Sequence, residues 1–168
     1  MLDIDAKALD EKLEGSEEQS EGRPARKFFP APDVQKIAEE LIPRFHPHLI
    51  DAQIEYTFRD GKWNKNDRPV VGDVKLVSPY FHVLTGLDFG VIVNYKNWAN
   101  ITSVEQHKAI VDHLLSFCYF ADNEKTGERK WKKIVPTIHE FPEVVARHGA
   151  YNEDVSELEN SLREFSKE

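Results

Sequence analysis

His113 ends a stretch, Glu105-Gln106-His107-Lys108-Ala109-Ile110-Val111-Asp112-His113, whose pattern predicts a helix, and an imidazole on a helix is half of a possible zinc site. In a His-Glu-x-x-His helix two imidazoles lie one turn apart on one face. The ion needs both nitrogens, a third ligand from elsewhere and an open position for water. The glutamate takes a proton from that water while zinc lowers its pKa. Other donors around His113 do not complete such a set. Cys118 lies five residues on, about 140° around a helix of 3.6 residues per turn, and His107 lies six residues back, about 240° around. Neither is expected to share the face of His113, and Asp112 points elsewhere. His139 could approach His113 in space, but two ligands do not make a structural zinc site. Glu140 could act as a base, yet without a metal it has nothing to activate. His46 and His48 are spaced like a metal pair on an extended chain, although histidines after a helix more commonly cap its carbonyls.

Other chemistries find less support. Ser116 and Cys118 sit in an apolar helix with no positioned base to activate them. Gly86 and Gly90 are isolated, so there is no glycine-rich phosphate loop. Trp63, Trp98 and Trp131 could line a groove for a peptide, though core or rim packing is commoner for tryptophan. Arg129, Lys130, Trp131, Lys132 and Lys133 look like a small nucleic-acid stripe. Charges on an edge strand more often guard against sheet-edge pairing.

These residues must be held by a small set of elements. Residues 22–32 read as an irregular, proline-broken linker with Phe28 and Phe29 tucked against the core. Asp33 is expected to cap a helix in which Val34, Ile37, Ala38, Leu41 and Phe45 share one face, closed by Pro43 and Pro47. Ile54, Tyr56 and Phe58 alternate with polar residues as in a half-buried strand. A turn and polar loop from Asp60-Gly61 to Asn66-Asp67 lead to a second strand near 70–77, where Gly72 marks a bulge. A short helix or turn over 79–84 precedes Phe89-Gly90-Val91-Ile92-Val93, a buried strand. Thr102-x-x-Glu105 and Ser103-x-x-Gln106 both have capping-box form. The helix behind them is read as continuing through Phe117 and Cys118, wet on one narrow strip and central to the domain. A loop over 123–127, a strand from Arg129 into Ile134-Val135, a short helix stopped by Gly149, and a final helix marked by Val155, Leu158, Leu162 and Phe165 complete an α+β domain.

Composition sets the class. The chain has 168 residues, 30 acidic against 22 basic side chains, a charge of −8 and one cysteine. That length suits a single core, and a lone Cys118 fits a reducing compartment. No apolar run approaches the roughly 18 residues of a membrane span. The opening Met1-Leu2-Asp3-Ile4-Asp5 carries acids where a secretory signal needs bases, so a soluble cytoplasmic protein is expected. Residues 1–22 hold eight acids against two bases, leaving a net −2 for the remainder. This segment reads as a solvated tail. Leu2, Leu9 and Leu13 would also allow a short helix that docks on a partner, and mimicry of nucleic-acid phosphate is a third reading. Direct nucleic-acid binding lacks its basic footprint.

In order and spacing, several segments together resemble the putative phage metallopeptidase domain family. They are His46-Pro47-His48-Leu49 leading into Ile54-Glu55-Tyr56, Gly86-Leu87-Asp88-Phe89, Trp98, the helix ending Asp112-His113, Glu140-Phe141-Pro142-Glu143-Val144-Val145, and Arg147-His148-Gly149. The resemblance spans roughly residues 28–151. It implies a minimal zincin-like fold, a small mixed or antiparallel sheet packed on a central helix with flanking helices. The implied domain is 23–150, after the tail 1–22 and before a C-terminal amphipathic helix, 151–168, packed on it. Family members follow the Asp-His pair with a glutamate and, three positions later, a second histidine. Here Leu114 stands where that general base belongs and Phe117 where that ligand belongs, leaving His113 as a vestige. Pro136-Thr137 stand where an acidic or His-Asp pair is usual. Two buried hydrocarbon side chains contribute roughly 1.5–3 kcal/mol each, offsetting stability lost with a metal. The expectation is an inactive scaffold with no cofactor or metal, which binds a host protein and inhibits or redirects it. Trp63 and Arg129 to Lys133 are the candidate contacts, and a defence system is one class of target. The alternatives are a working zinc peptidase with other ligands and an acidic nucleic-acid mimic.

Overall fold

A computed structural model describes residues 27–136, 138 and 141–167. The acidic segment 1–22, and with it the tail readings, lies outside the described residues, as do Thr137, His139 and Glu140.

A four-stranded sheet forms the centre, with strand order β1-β2-β6-β5. β1 (Phe28–Pro30) pairs antiparallel with β2 (Ile54–Arg59). β2 pairs in parallel with β6 (Phe89–Asn94), Ile54 opposite Phe89 and Arg59 opposite Asn94. β6 then pairs antiparallel with β5 (Gly72–Leu76). Bonded on both sides, β6 buries Phe89, Val91 and Val93 completely. Its apolar, β-branched sequence follows from that position. Between β2 and β5 a small hairpin, β3 (Asn64–Lys65) and β4 (Arg68–Pro69), turns at Asn66 and Asp67, both with positive φ. Asn and Asp tolerate that backbone better than other non-glycine residues.

Helix α1 (Pro32–Phe45) buries Val34, Ala38 and Leu41 and packs on α4 (Val104–Leu115), which buries Val111, Leu114 and Leu115. A 3-10 turn, Pro47–Leu49, follows α1. The short helices α2 (Pro79–Thr85) and α3 (Tyr95–Ala99) flank β6 in sequence. After α4 come a separate two-stranded hairpin, β7 (Cys118–Asp122) and β8 (Arg129–Lys133), and two peripheral helices, α5 (Pro142–His148) and α6 (Glu153–Phe165).

The α+β class and the mixed sheet match expectation, while several local readings need correction. Phe28 and Phe29 belong to an edge strand and not to a linker. Phe28 stays exposed while Phe29 packs on Phe58 and Tyr95. Asp33 is not the cap of α1, because Pro32 already occupies its first turn and Ala31 precedes it. Pro43 lies inside α1, which runs on to Phe45. Gly72 is in regular register opposite Val93, with no bulge. α4 stops at Leu115, so Cys118 is a strand residue and helical angles do not relate it to His113. α4 also exposes Val104, Glu105, Gln106, Ala109 and His113, a broader wet face than expected. Of the four apolar residues marking α6, only Val155 is buried.

Candidate functional site

The last turn of α4 carries His113 and Leu114, and Phe117 follows just beyond it, its N–H donating to the Leu114 carbonyl at 3.2 Å. Ser103 starts the helix by accepting a hydrogen bond from the Gln106 N–H at 3.3 Å, the expected cap. Ser116 ends it, with its hydroxyl donating to the Asp112 carbonyl at 2.9 Å and its N–H to the same oxygen at 3.0 Å. The chain then reverses into β7.

His113 is exposed, and its ring meets Phe117 edge-on with centroids 5.1 Å apart. Leu114 is 2% exposed and pressed against the backbone of β5. A Cβ placed on Gly72 would lie 2.9 Å from Leu114 Cδ1 and 2.9 Å from the Ile92 carbonyl oxygen. Glycine stands there because nothing larger fits between α4 and the sheet. Two shallow clefts meet at His113. One, of about 260 Å³, is lined by Ser116, Phe117, Ile134, Val135 and Pro136. The other, of about 420 Å³, runs past Val71, Gly72, Gln106, Ala109, Ile110 and Leu114. Hydrocarbon dominates both.

His46, His48 and His107 have structural partners. The buried His46 places Nε2 2.6 Å from Asp112 Oδ1, tying the end of α1 to α4. His48 Nε2 lies 3.0 Å from the Cys118 carbonyl oxygen and joins the 3-10 turn to β7. Neither side chain caps α1, whose Ile42 carbonyl accepts from the His46 backbone N–H instead. His107 stacks on Trp98, with ring centroids 4.0 Å apart. Pairings between residues 66 and 70 positions apart have no local sequence signal. Asp112 does point away from His113, because His46 holds it.

Burial pushes the Cys118 thiol up to about 12, although the Lys133 charge pulls the other way. The folded protein holds this proton more tightly than the unfolded chain. The resulting stability is complete below the ordinary thiol pKa of about 8.5 and is lost as pH rises from there through the folded value. At pH 8, native Cys118 should resist a thiol-specific reagent such as Ellman's, while urea-unfolded protein reacts at once. Rapid stoichiometric reaction of the native chain would contradict this burial.

Trp63 is half-buried beneath the Arg59 guanidinium, 4.2 Å from its ring centroid. In the basic strand, Trp131 turns inward, 5.7 Å from the Phe89 ring. Arg129 covers Phe120 and pairs with Asp122, and Lys132 lies over Tyr119. Lys133 is turned toward β5. Its Nζ bonds Asp73 Oδ1 and the Val74 carbonyl, each at 2.7 Å, and sits 5.2 Å from the Phe117 ring centroid. Desolvation raises the Asp73 pKa, but hydrogen bonds from Lys133 and Lys75 outweigh it and hold the carboxyl below its ordinary value. The sequence offers Lys133 as a candidate partner contact, and Asp73, 60 residues away, carries no signal there.

A mixed sheet with α4 laid beside its edge defines an α+β domain of the zincin-like kind. The chain matches the putative phage metallopeptidase family model over residues 26–164 and belongs to that family. No curated protein and no solved structure matches it. The described residues at the end of α4 do not make up a ligand set for the zinc that this family name implies. Among the described residues at the end of α4, Asp112 is held by His46, and the residue after His113 is a packed leucine. No group of three His, Cys, Asp or Glu residues suited to a metal occurs among the described residues. No described helix is long and apolar enough to cross a membrane.

Proposed function

We propose that this phage-type metallopeptidase scaffold is catalytically inactive and acts by binding a host protein, which it inhibits or redirects. The observation that carries this is Leu114, buried against Gly72 where a water-activating glutamate would have to reach open space. A zinc peptidase of this type needs a carboxylate within reach of the metal-bound water. This chain has instead packed hydrocarbon into that position, which strengthens the domain and ends the chemistry. What remains is an apolar double cleft centred on His113, with the exposed Lys130 and Lys132 on the neighbouring hairpin and Trp63 on the β3–β4 side. A surface of that kind suits an apolar segment of a protein partner, acidic at its margins. A defence-system component is one such target, and the bacterial cytoplasm is where the two would meet. The unit doing this work is the stretch 23–150.

Elemental analysis of the purified full chain, combined with a casein cleavage assay, tests the reading. Zinc well below one equivalent, and no cleavage with or without added zinc, is the expected result. One zinc per chain with proteolysis abolished by a chelator would sink it. The family assignment is what favours that second outcome, a zinc peptidase using ligands other than those of the His-Glu-x-x-His pattern.

A further inference from the structure

β5 is bonded on one side only. Its ladder to β6 sets Gly72 opposite Val93, Val74 opposite Val91 and Leu76 opposite Phe89. The other side is the edge of the sheet. The Val71 carbonyl accepts from the Asn94 N–H at 2.8 Å, so odd-numbered residues direct their backbone groups toward β6 and even-numbered ones toward the edge. An open edge of this kind templates pairing with another chain.

Here the middle of the edge is closed by side chains. The Val74 carbonyl accepts from Lys133 Nζ at 2.7 Å, and the Val74 N–H donates to Asp73 Oδ1 at 2.8 Å. The same ammonium and carboxylate are bonded to each other at 2.7 Å. Lys75 holds the second Asp73 oxygen at 2.6 Å. β8 packs beside β5 without joining its sheet, and Lys133, its last residue, bridges the gap.

The sequence of the edge is complementary to itself. Two β5 strands paired antiparallel about a two-fold axis at Val74 would set Asp73 of each copy opposite Lys75 of the other, two favourable cross-strand ion pairs. The carboxylate that Lys133 now occupies would be the one shared across that axis. We propose that the β7–β8 hairpin is a strap latched over the β5 edge by Lys133 and Asp73, and that the edge beneath it is a pairing surface for the β5 of a second copy. The latch stands whether or not the His113 clefts bind a partner.

Lys133→Met in the full chain tests this, with Lys133→Arg as the charge-preserving control. Native hydrogen exchange reads the Val74 amide, and sedimentation velocity from low to high micromolar concentration reads association. For Lys133→Met the expected result is, at low micromolar concentration where the chain is still monomeric, exchange at Val74 faster by about tenfold or more, and at high micromolar concentration a dimer that protects the same amide again. Wild type and Lys133→Arg stay monomeric. Adding Leu76→Pro, which removes an edge-facing N–H, should abolish the dimer. Unchanged exchange overturns the latch. Faster exchange in a chain that stays monomeric, or a dimer indifferent to Leu76→Pro, overturns the pairing surface. Should Lys133→Met fail to give a native circular dichroism spectrum, Lys133→Gln carries the same measurements.

Discussion

Leu114→Glu, which supplies the carboxylate that a zinc-peptidase helix carries after its first histidine, is expected to cost at least about 4 kcal/mol at neutral pH. Roughly 1.5–3 kcal/mol is the lost burial of leucine, and a further few come from placing a carboxyl group among hydrocarbon with no donor to satisfy it. Leu114 is 2% exposed and faces the β5 backbone, so the new side chain cannot swing into water without moving α4. Total stabilities run about 5–15 kcal/mol, so much of the fold is at stake. The sign of the pH effect separates this from a simple packing loss. Burial raises the pKa of the introduced group. Its penalty is therefore smallest below the ordinary glutamate value of about 4.3 and grows as pH rises through and above it. Urea melts of variant and wild type at pH 4 and pH 7.5 should show a gap that widens at the higher pH. Zinc should not narrow it, since a metal stabilises only a native state that binds it. A variant as stable as wild type, or one rescued by a single equivalent of zinc, would show that the niche has kept the geometry of a metal centre.

Much of this site could be read from local sequence, and what escaped did so for a physical reason. Ser103-x-x-Gln106 named the start of α4 because a cap is a contact between residues three apart. The run from Phe89 to Val93 announced a buried strand because β6 is bonded along both edges and turns Phe89, Val91 and Val93 into the core. The end of α4 was not legible. Phe117 and Cys118 continue its apolar pattern, yet Ser116 closes the helix with its own hydroxyl, and the same residues serve as well in a strand. Apolar periodicity alone cannot place such a boundary. Gly72 was noticed but explained wrongly. A glycine in a strand signals either a bulge or a close approach, and only the position of Leu114, 42 residues later, selects the second. The Asp73–Lys133 and His46–Asp112 pairs join residues 60 and 66 positions apart, where no spacing rule applies.

Gly72→Ala gives the sharpest test of how tightly α4 is set against the sheet. The backbone at Gly72 is ordinary strand, so the cost comes from contact alone. The new Cβ would sit 2.9 Å from Leu114 Cδ1, 3.2 Å from Cδ2 and 2.9 Å from the Ile92 carbonyl oxygen. Overpacking of this kind costs about 1–3 kcal/mol. Leu114→Ala alone, which opens a cavity at a buried position, costs about 2–5 kcal/mol. The pair should not add. Truncating Leu114 makes room for the Cβ, and the Cβ fills part of the void, so the double variant should be more stable than the sum of losses by about 1 kcal/mol or more. Recovery cannot be complete, because the Ile92 oxygen belongs to the neighbouring strand and remains in place. Denaturant melts of the four proteins close the cycle. Additivity within about 0.3–0.5 kcal/mol would mean that α4 yields to the alanine without feeling it. A helix that yields so readily could also tilt to admit a water and a cation beside His113, and the packed-niche account of lost catalysis would fall with it.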